Sequence, residues 1–291
     1  MQYVYYFRQT IQSMSSSDSE IHLYWATGCT SCLRIKEFLE RNDTPFVSHN
    51  VIKKDGSEGD GDGPSSSSVG IQGVDEAKMA EMAELGLPQH VPIVRRGDEW
   101  ADGKDVSNVA ELVGIDYDGE PLPVDELYDR LTILMDTTLS YLEQLPESEL
   151  ETNIPNRPRS YADLLQHIFS LPDVFLQHEA GVAMMSVPRM EHHWDHYSTV
   201  ALSTYGQSVQ GRFDDWFESA AESCDWSETA TVFWGQPTKH EFFERTTWHT
   251  GQHVRQLAWV LENEVGVSPE PALDPALWEG LPMPEKIWNS E

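Results

Sequence analysis

The chain has 291 residues and a formal net charge of −30, from 49 acidic and only 19 basic side chains. That length suffices for two domains of ordinary size. So negative a surface argues against nucleic acid or an anionic membrane as partner, and no run reaches the roughly 20 apolar residues that span a bilayer. Scarce lysine beside abundant carboxylate points to a salt-rich cytoplasm, where screening limits self-repulsion, or simply to an acidic protein kept soluble by its charge.

The first residues, through Arg8, lack the basic start and long apolar core of a signal peptide. Residues 1–20 are expected to be a solvated tail, and Met14 is a second candidate start. Ile21 to Trp25 is β-rich and leads into Cys29-Thr30-Ser31-Cys32. A helical stretch, Leu33 to Arg41, and a second strand, Pro45 to Val51, complete a βαβ unit. A C-x-x-C at a helix start places Cys29 near exposed amides, which favours its thiolate. Cys32 is placed to resolve the mixed disulfide that Cys29 forms. The alternative is half of a zinc knuckle, but Cys224 is distant and no second C-x-x-C exists. Three cysteines, two of them in this motif, suit a reducing compartment, so the expected location is the cytoplasm.

Residues 53–72, rich in Gly, Ser and Asp, read as a flexible insertion; Glu58, Asp60 and Asp62 do not have EF-hand spacing. A helix from Asp75 to Leu85, strands at Val91–Val94 and Glu99–Ala101, and a helix from Val106 to Val113 follow. Taken together, residues 21–115 resemble a glutaredoxin-type thioredoxin fold. The matching parts are the strand before Cys29-Thr30-Ser31-Cys32, the Val91-Pro92 step before a strand, and Gly103 with Asp105 before the last helix. His90 stands where the family has Thr. The resemblance implies that Pro92 is cis and that Val91, Pro92, Gly103 and Asp105 bind the thiol substrate.

Asp116 to Pro123 is an acidic linker containing Gly and Pro. The period then becomes helical. A first helix carries Leu127, Leu131, Leu134, Leu142 and Leu145 and stops at Pro146. Ser160, with Asp163 three residues on, caps a second helix, which carries His167 on its apolar side and Pro172 as a candidate kink. Leu202 to Ala220 and about Lys239 to Glu264 are the third and fourth. Four amphipathic helices over 124–265 predict a four-helix bundle, followed by a C-terminal extension, 266–291. The expected architecture is therefore an N-terminal α/β thioredoxin-like domain and a C-terminal all-α bundle.

In the fourth helix, Phe242, Thr246, His249, His253, Leu257 and Val260 form one buried stripe. Two imidazoles in a core need partners for their nitrogens. These are polar neighbours or a metal. With His167 from the second helix, three neutral imidazoles plus an open position match the pattern of a catalytic zinc site; nickel or iron suits the same ligands. His192, His193 and His196 form a second cluster, expected in a loop.

Residues 124–265 resemble the DinB-like superfamily, which includes metal-dependent thiol S-transferases. The match is best at Trp248-His249-Thr250-Gly251-Gln252-His253-Val254-Arg255-Gln256-Leu257, with Leu165-Gln166-His167 as the partner element, and the family's metal triad falls on His167, His249 and His253. The function expected is activation of a low-molecular-weight thiol for attack on an electrophile, coupled to reduction of disulfides by Cys29 and Cys32. Two alternatives remain: an oxidoreductase whose bundle only binds a ligand or metal, and a redox or metal sensor. The partners expected are a small thiol with a small electrophile or mixed disulfide. Glutathione and gamma-glutamylcysteine both stay open as the thiol, and so does a homodimer.

Overall fold

The computed structural model describes residues 20–52, 74–117, 119–155, 159–182, 197–232 and 235–289. It has a mixed α/β architecture, a small four-stranded sheet and several longer helices. Chain order is β1 Ile21–Trp25, α1 Thr30–Arg41, β2 Phe46–Asn50, α2 Glu76–Glu84, β3 Ile93–Arg96, β4 Glu99–Asp102 and α3 Val106–Val113. Four long helices follow: α4 Val124–Gln144, α5 Tyr161–Glu179, α6 Thr199–Ala220 and α7 Lys239–Val260.

The sheet order is β2-β1-β3-β4. β1 and β2 are parallel, with Ile21 opposite Phe46 and Trp25 opposite Asn50. A parallel pair needs a crossover, and α1 supplies it. β3 runs antiparallel to β1 and pairs with β4 through the tight Gly97 turn, where φ is 61°. Leu23, Ile35, Leu39, Ile93, Val94 and Val109 are fully buried in one apolar cluster. Leu127, Leu134, Leu164, Ile168, Phe243, Trp248 and Leu257 belong to another, filled by α4 to α7.

The helix boundaries follow local chemistry. Ser160 and Asp163 form a capping box at α5, as their spacing predicts, and Thr238 with Glu241 forms another at α7. Helix α5 runs unbroken through Pro172. The fourth-helix pattern predicted to Glu264 continues past α7 as a π-helical turn over Leu261–Val265. Among the described residues no helix is long and apolar enough to cross a membrane.

Helix α7 differs from the single buried stripe that its periodicity predicts. Phe243, Trp248, Gly251, Gln252, Val254 and Gln256 are buried as well. Phe243 packs against Phe175, Phe213 and Trp226, and Trp248 lies under Arg34 and Arg245. Gly251, Gln252 and Gln256 are covered by the C-terminal segment, which returns along that side. Arg255 donates to the carbonyls of Pro284 (2.8 Å) and Glu285 (2.6 Å), and Gln252 to those of Lys286 and Ile287. Gly251 permits this: a Cβ there would lie 2.8 Å from the Trp278 ring. The same segment reaches α1. The Glu285 and Lys286 amides donate to the Glu37 carboxylate at 2.6 and 3.0 Å, and Asn289 donates to the Ala26 carbonyl at 3.1 Å. Residues expected only to trail behind the bundle are thus a strap across both apolar clusters.

The stretch expected as a linker is also anchored. Tyr117 packs edge-on against Phe38, and the Leu122 amide donates to the Glu244 carboxylate at 3.2 Å. Burial pushes the Glu244 carboxyl up to about 7 against the pull of that amide. An acid raised in the fold gives up its proton first in the unfolded chain. Its stabilising contribution is therefore lost as pH rises from about 4.5 to about 7. Glu244→Gln keeps an acceptor for Leu122 and removes the buried charge. It is expected to stabilise the protein by about 2 kcal/mol at pH 8 and by little at pH 4, measured by denaturant unfolding at both pH values.

Candidate metal centre and dithiol

His249 and His253 sit one turn apart on α7, and α5 brings His167 to face them. Ligand nitrogens of the three rings all lie within 4.8 Å of one another. His253 Nε2 is 3.1 Å from His249 Nε2, and the His167 ring centroid is 4.7 Å from that of His253 and 5.5 Å from that of His249. His253 is buried. His167 and His249 lie deep among protein atoms and are partly exposed.

The protonation of the group can be worked out from its partners. Desolvation, helped by Arg159 and His253, holds His167 well below the ordinary histidine range; desolvation and His253 do the same for His249. Both are neutral at pH 7. Gln256 settles the tautomer of His253. Its amide nitrogen donates to the Ile287 carbonyl at 2.9 Å, so its oxygen is the atom 2.7 Å from His253 Nδ1. An oxygen there only accepts, so the proton is on Nδ1 and the Nε2 lone pair points at the other two rings. This is the arrangement by which protein groups orient imidazole ligands. Three converging nitrogen donors, a preset tautomer and partial exposure fit a divalent ion with one position left for a substrate. Replacing Gln256 with Leu is expected to weaken zinc binding about 10- to 100-fold, measured by competition with a chromogenic chelator.

Cys29 caps α1 and is joined to Cys32 by a disulfide, with Cα atoms 5.2 Å apart. The Cys32 amide donates to Cys29 Sγ at 3.2 Å, so the first sulfur is the one that faces the helix amides. Cys32 is fully buried and Cys29 is partly exposed. The Val91–Pro92 bond is cis. The Gly103 amide donates to the Pro92 carbonyl at 2.9 Å, and a Cβ on Gly103 would come within 2.9 Å of Ile35 and 3.0 Å of Pro92. Asp105 caps α3, accepting from the Ser107 amide at 2.8 Å; that bond gives its carboxylate a local role. His90 contacts Asp102 at 2.6 Å.

The start of α1 lies against α7. Arg245 donates to Ser31 Oγ at 3.2 Å, and the Arg34 guanidinium stacks 4.6 Å from the centre of the Trp248 ring. Trp248 immediately precedes His249. Sequence reasoning singles out neither Arg34 nor Arg245. The available signal was Arg245, four residues before His249 and therefore on the same side of α7. Among the other histidines, His178 contacts Glu179 at 3.0 Å and His240 contacts the Leu122 carbonyl at 2.8 Å. Cys224 is partly buried, and burial raises its thiol. The cluster His192, His193 and His196, the insertion 53–72, Trp234 and the tail 1–19 lie outside the described residues. Comparison with protein-family models and with curated proteins found no match to this chain.

Proposed function

We propose that the chain is a metal-dependent thiol S-transferase joined to a dithiol disulfide reductase. In this reading residues 21–115 form a glutaredoxin-like thioredoxin unit and residues 124–265 a DinB-like four-helix bundle. The observation that carries it is the convergence of three imidazoles, His167, His249 and His253, in a partly accessible site on the helix against which the Cys29 end of α1 packs.

The three histidines would hold a divalent ion, zinc first, with nickel or iron on the same ligands. When bound, such an ion favours the thiolate of a small thiol at neutral pH. The protein's own groups do the rest. Gln256 keeps a lone pair of His253 aimed into the site. The buried surroundings keep His167 and His249 unprotonated. The thiolate sulfur then bonds to an electrophilic carbon, the leaving group departs with its electron pair, and the product is a thioether.

The second half acts on the same class of molecule in oxidised form. Once reduced, Cys29 attacks a mixed disulfide and releases one thiol. Cys32 then attacks the Cys29 sulfur, releases the second thiol and restores the Cys29–Cys32 disulfide. An external dithiol or thiol closes the cycle. The Cys29–Cys32 pair also supports a second reading, in which this reduction is the whole activity and the bundle only binds a ligand; the pair is common to both readings.

The two readings separate in one assay. Purified full-length protein, loaded with zinc, is mixed with a small thiol and monobromobimane in high salt, and the thioether is quantified. Conjugation above the uncatalysed rate that a chelator abolishes is the expected result. Disulfide reduction without any conjugation would leave the reductase alone.

A further inference from the structure

Three cations meet in the seam between α1, the turn after β4 and α7. Arg34 and Arg245 lie 4.6 and 5.3 Å from the centre of the Trp248 ring. Arg34 Nη2 donates to the Lys104 carbonyl at 2.6 Å, and Lys104 Nζ lies 3.8 Å from Asp102, which also contacts His90. Lys104 is 9% exposed and Arg34 is 7% exposed. The chain has only 19 basic residues, and withdrawing three of them into one seam is unusual, because Lys and Arg are seldom buried unless paired.

Stacking on an indole accounts for part of this arrangement. It does not satisfy Arg34 Nε, at the edge of that guanidinium plane. Arg34 Nε is fully buried and has no hydrogen-bond acceptor, an expensive state for a charged donor. Burial pushes Arg245 down to about 9 and Lys104 to about 8, and Arg34 also downward, and outweighs the opposing pull of Asp102 on Arg245 and Lys104 and of Asp105 and Glu244 on Arg34. An acceptor at Arg34 Nε would add to that pull.

The position of the cluster names its ligand. Arg245 bonds to Ser31, the residue between the two cysteines of the disulfide on the Cys32 side. Trp248, which both arginines touch, is covalently next to His249. The seam therefore adjoins the dithiol on one side and the histidine site on the other. We infer that Arg34, Lys104 and Arg245 bind the carboxylate of the small thiol, so that the substrate is an anionic thiol of the amino-acid or peptide type. Guanidinium groups suit a carboxylate because their paired N–H donors match its two oxygens. This inference rests on the thiol-transferase reading for the identity of the ligand, and adds its charge. One anchored carboxylate would serve both halves, holding the sulfur for conjugation at the histidines or receiving it as a disulfide at Cys29.

Two thiols that differ only in the carboxylate test it: N-acetyl-L-cysteine and N-acetylcysteamine, each conjugated to monobromobimane by zinc-loaded full-length protein. The carboxylated thiol is expected to have kcat/KM about 10- to 100-fold higher. Arg245→Gln and, separately, Lys104→Met should erase most of that preference while zinc content and the N-acetylcysteamine rate hold steady. Binding of N-acetyl-L-alanine, which has the carboxylate and no sulfur, gives a readout independent of turnover through Trp248 fluorescence or calorimetry. Equal rates for the two thiols, with no N-acetyl-L-alanine binding, would overturn the carboxylate site and leave the transferase standing. No conjugation of either thiol, with N-acetyl-L-alanine bound by the wild type and lost in Arg245→Gln, would support the anion site and overturn the transferase.

Discussion

His253→Ala is expected to abolish both zinc binding and thioether formation while leaving disulfide reduction at its wild-type rate. His253 is the ring whose tautomer the structure determines, since Gln256 accepts from Nδ1 and frees Nε2. Loss of a partner that merely orients a ligand costs about 10- to 100-fold in metal affinity, so loss of the ligand itself should cost about 1,000-fold or more. The substitution also removes a buried side chain, at about 1–3 kcal/mol. Unfolding curves for the variant separate that cost from the loss of metal. His253→Gln provides the second check: it fills more of the space, supplies no imidazole, and should fail in the same way. Wild-type conjugation in either folded variant would exclude a role for the metal in the reaction.

Cys29→Ser is expected to reduce disulfide turnover to the uncatalysed rate without lowering zinc content. Serine is a good helix N-cap, so the start of α1 should survive the exchange. What disappears is the nucleophile whose thiolate the helix amides favour. Cys32→Ser should behave differently, because Cys29 can still attack but nothing releases it. Mass spectrometry should then find the small thiol bound to Cys29. A Cys29→Ser protein that still reduces mixed disulfides would place the active thiol elsewhere.

Much of this was legible in the residues. Ile21 to Trp25 and Val106 to Val113 are read from the sequence with the bounds the structure has, because a short run of β-favouring residues and a helical repeat are local signals. Ser160 with Asp163 gave the start of α5 for the same reason. The i,i+4 pair His249 and His253 was legible from its spacing on an apolar face, and His167 from its place on the apolar side of the second helix and from the DinB-like resemblance; the structure brings the three together. What was not legible depends on the chain folding back on itself. Nothing near Glu37 indicates that its carboxylate will receive amides from Glu285 and Lys286, 248 and 249 residues away. The burial of Gln252 and Gln256, polar residues off the apolar stripe of α7, follows from that strap and has no local signature. Arg34, Lys104 and Arg245 belong to three elements far apart in sequence, and each reads alone as an ordinary surface cation.

X-ray absorption at the zinc edge tests the central claim most directly. Zinc-loaded full-length protein is recorded before and after addition of N-acetyl-L-cysteine, with the His253→Ala variant alongside. Three imidazole nitrogens bound to the metal, joined by one sulfur when the thiol is added, is the predicted result. An unchanged nitrogen and oxygen shell after the thiol is added, or the same zinc signal in the His253→Ala variant, would contradict it.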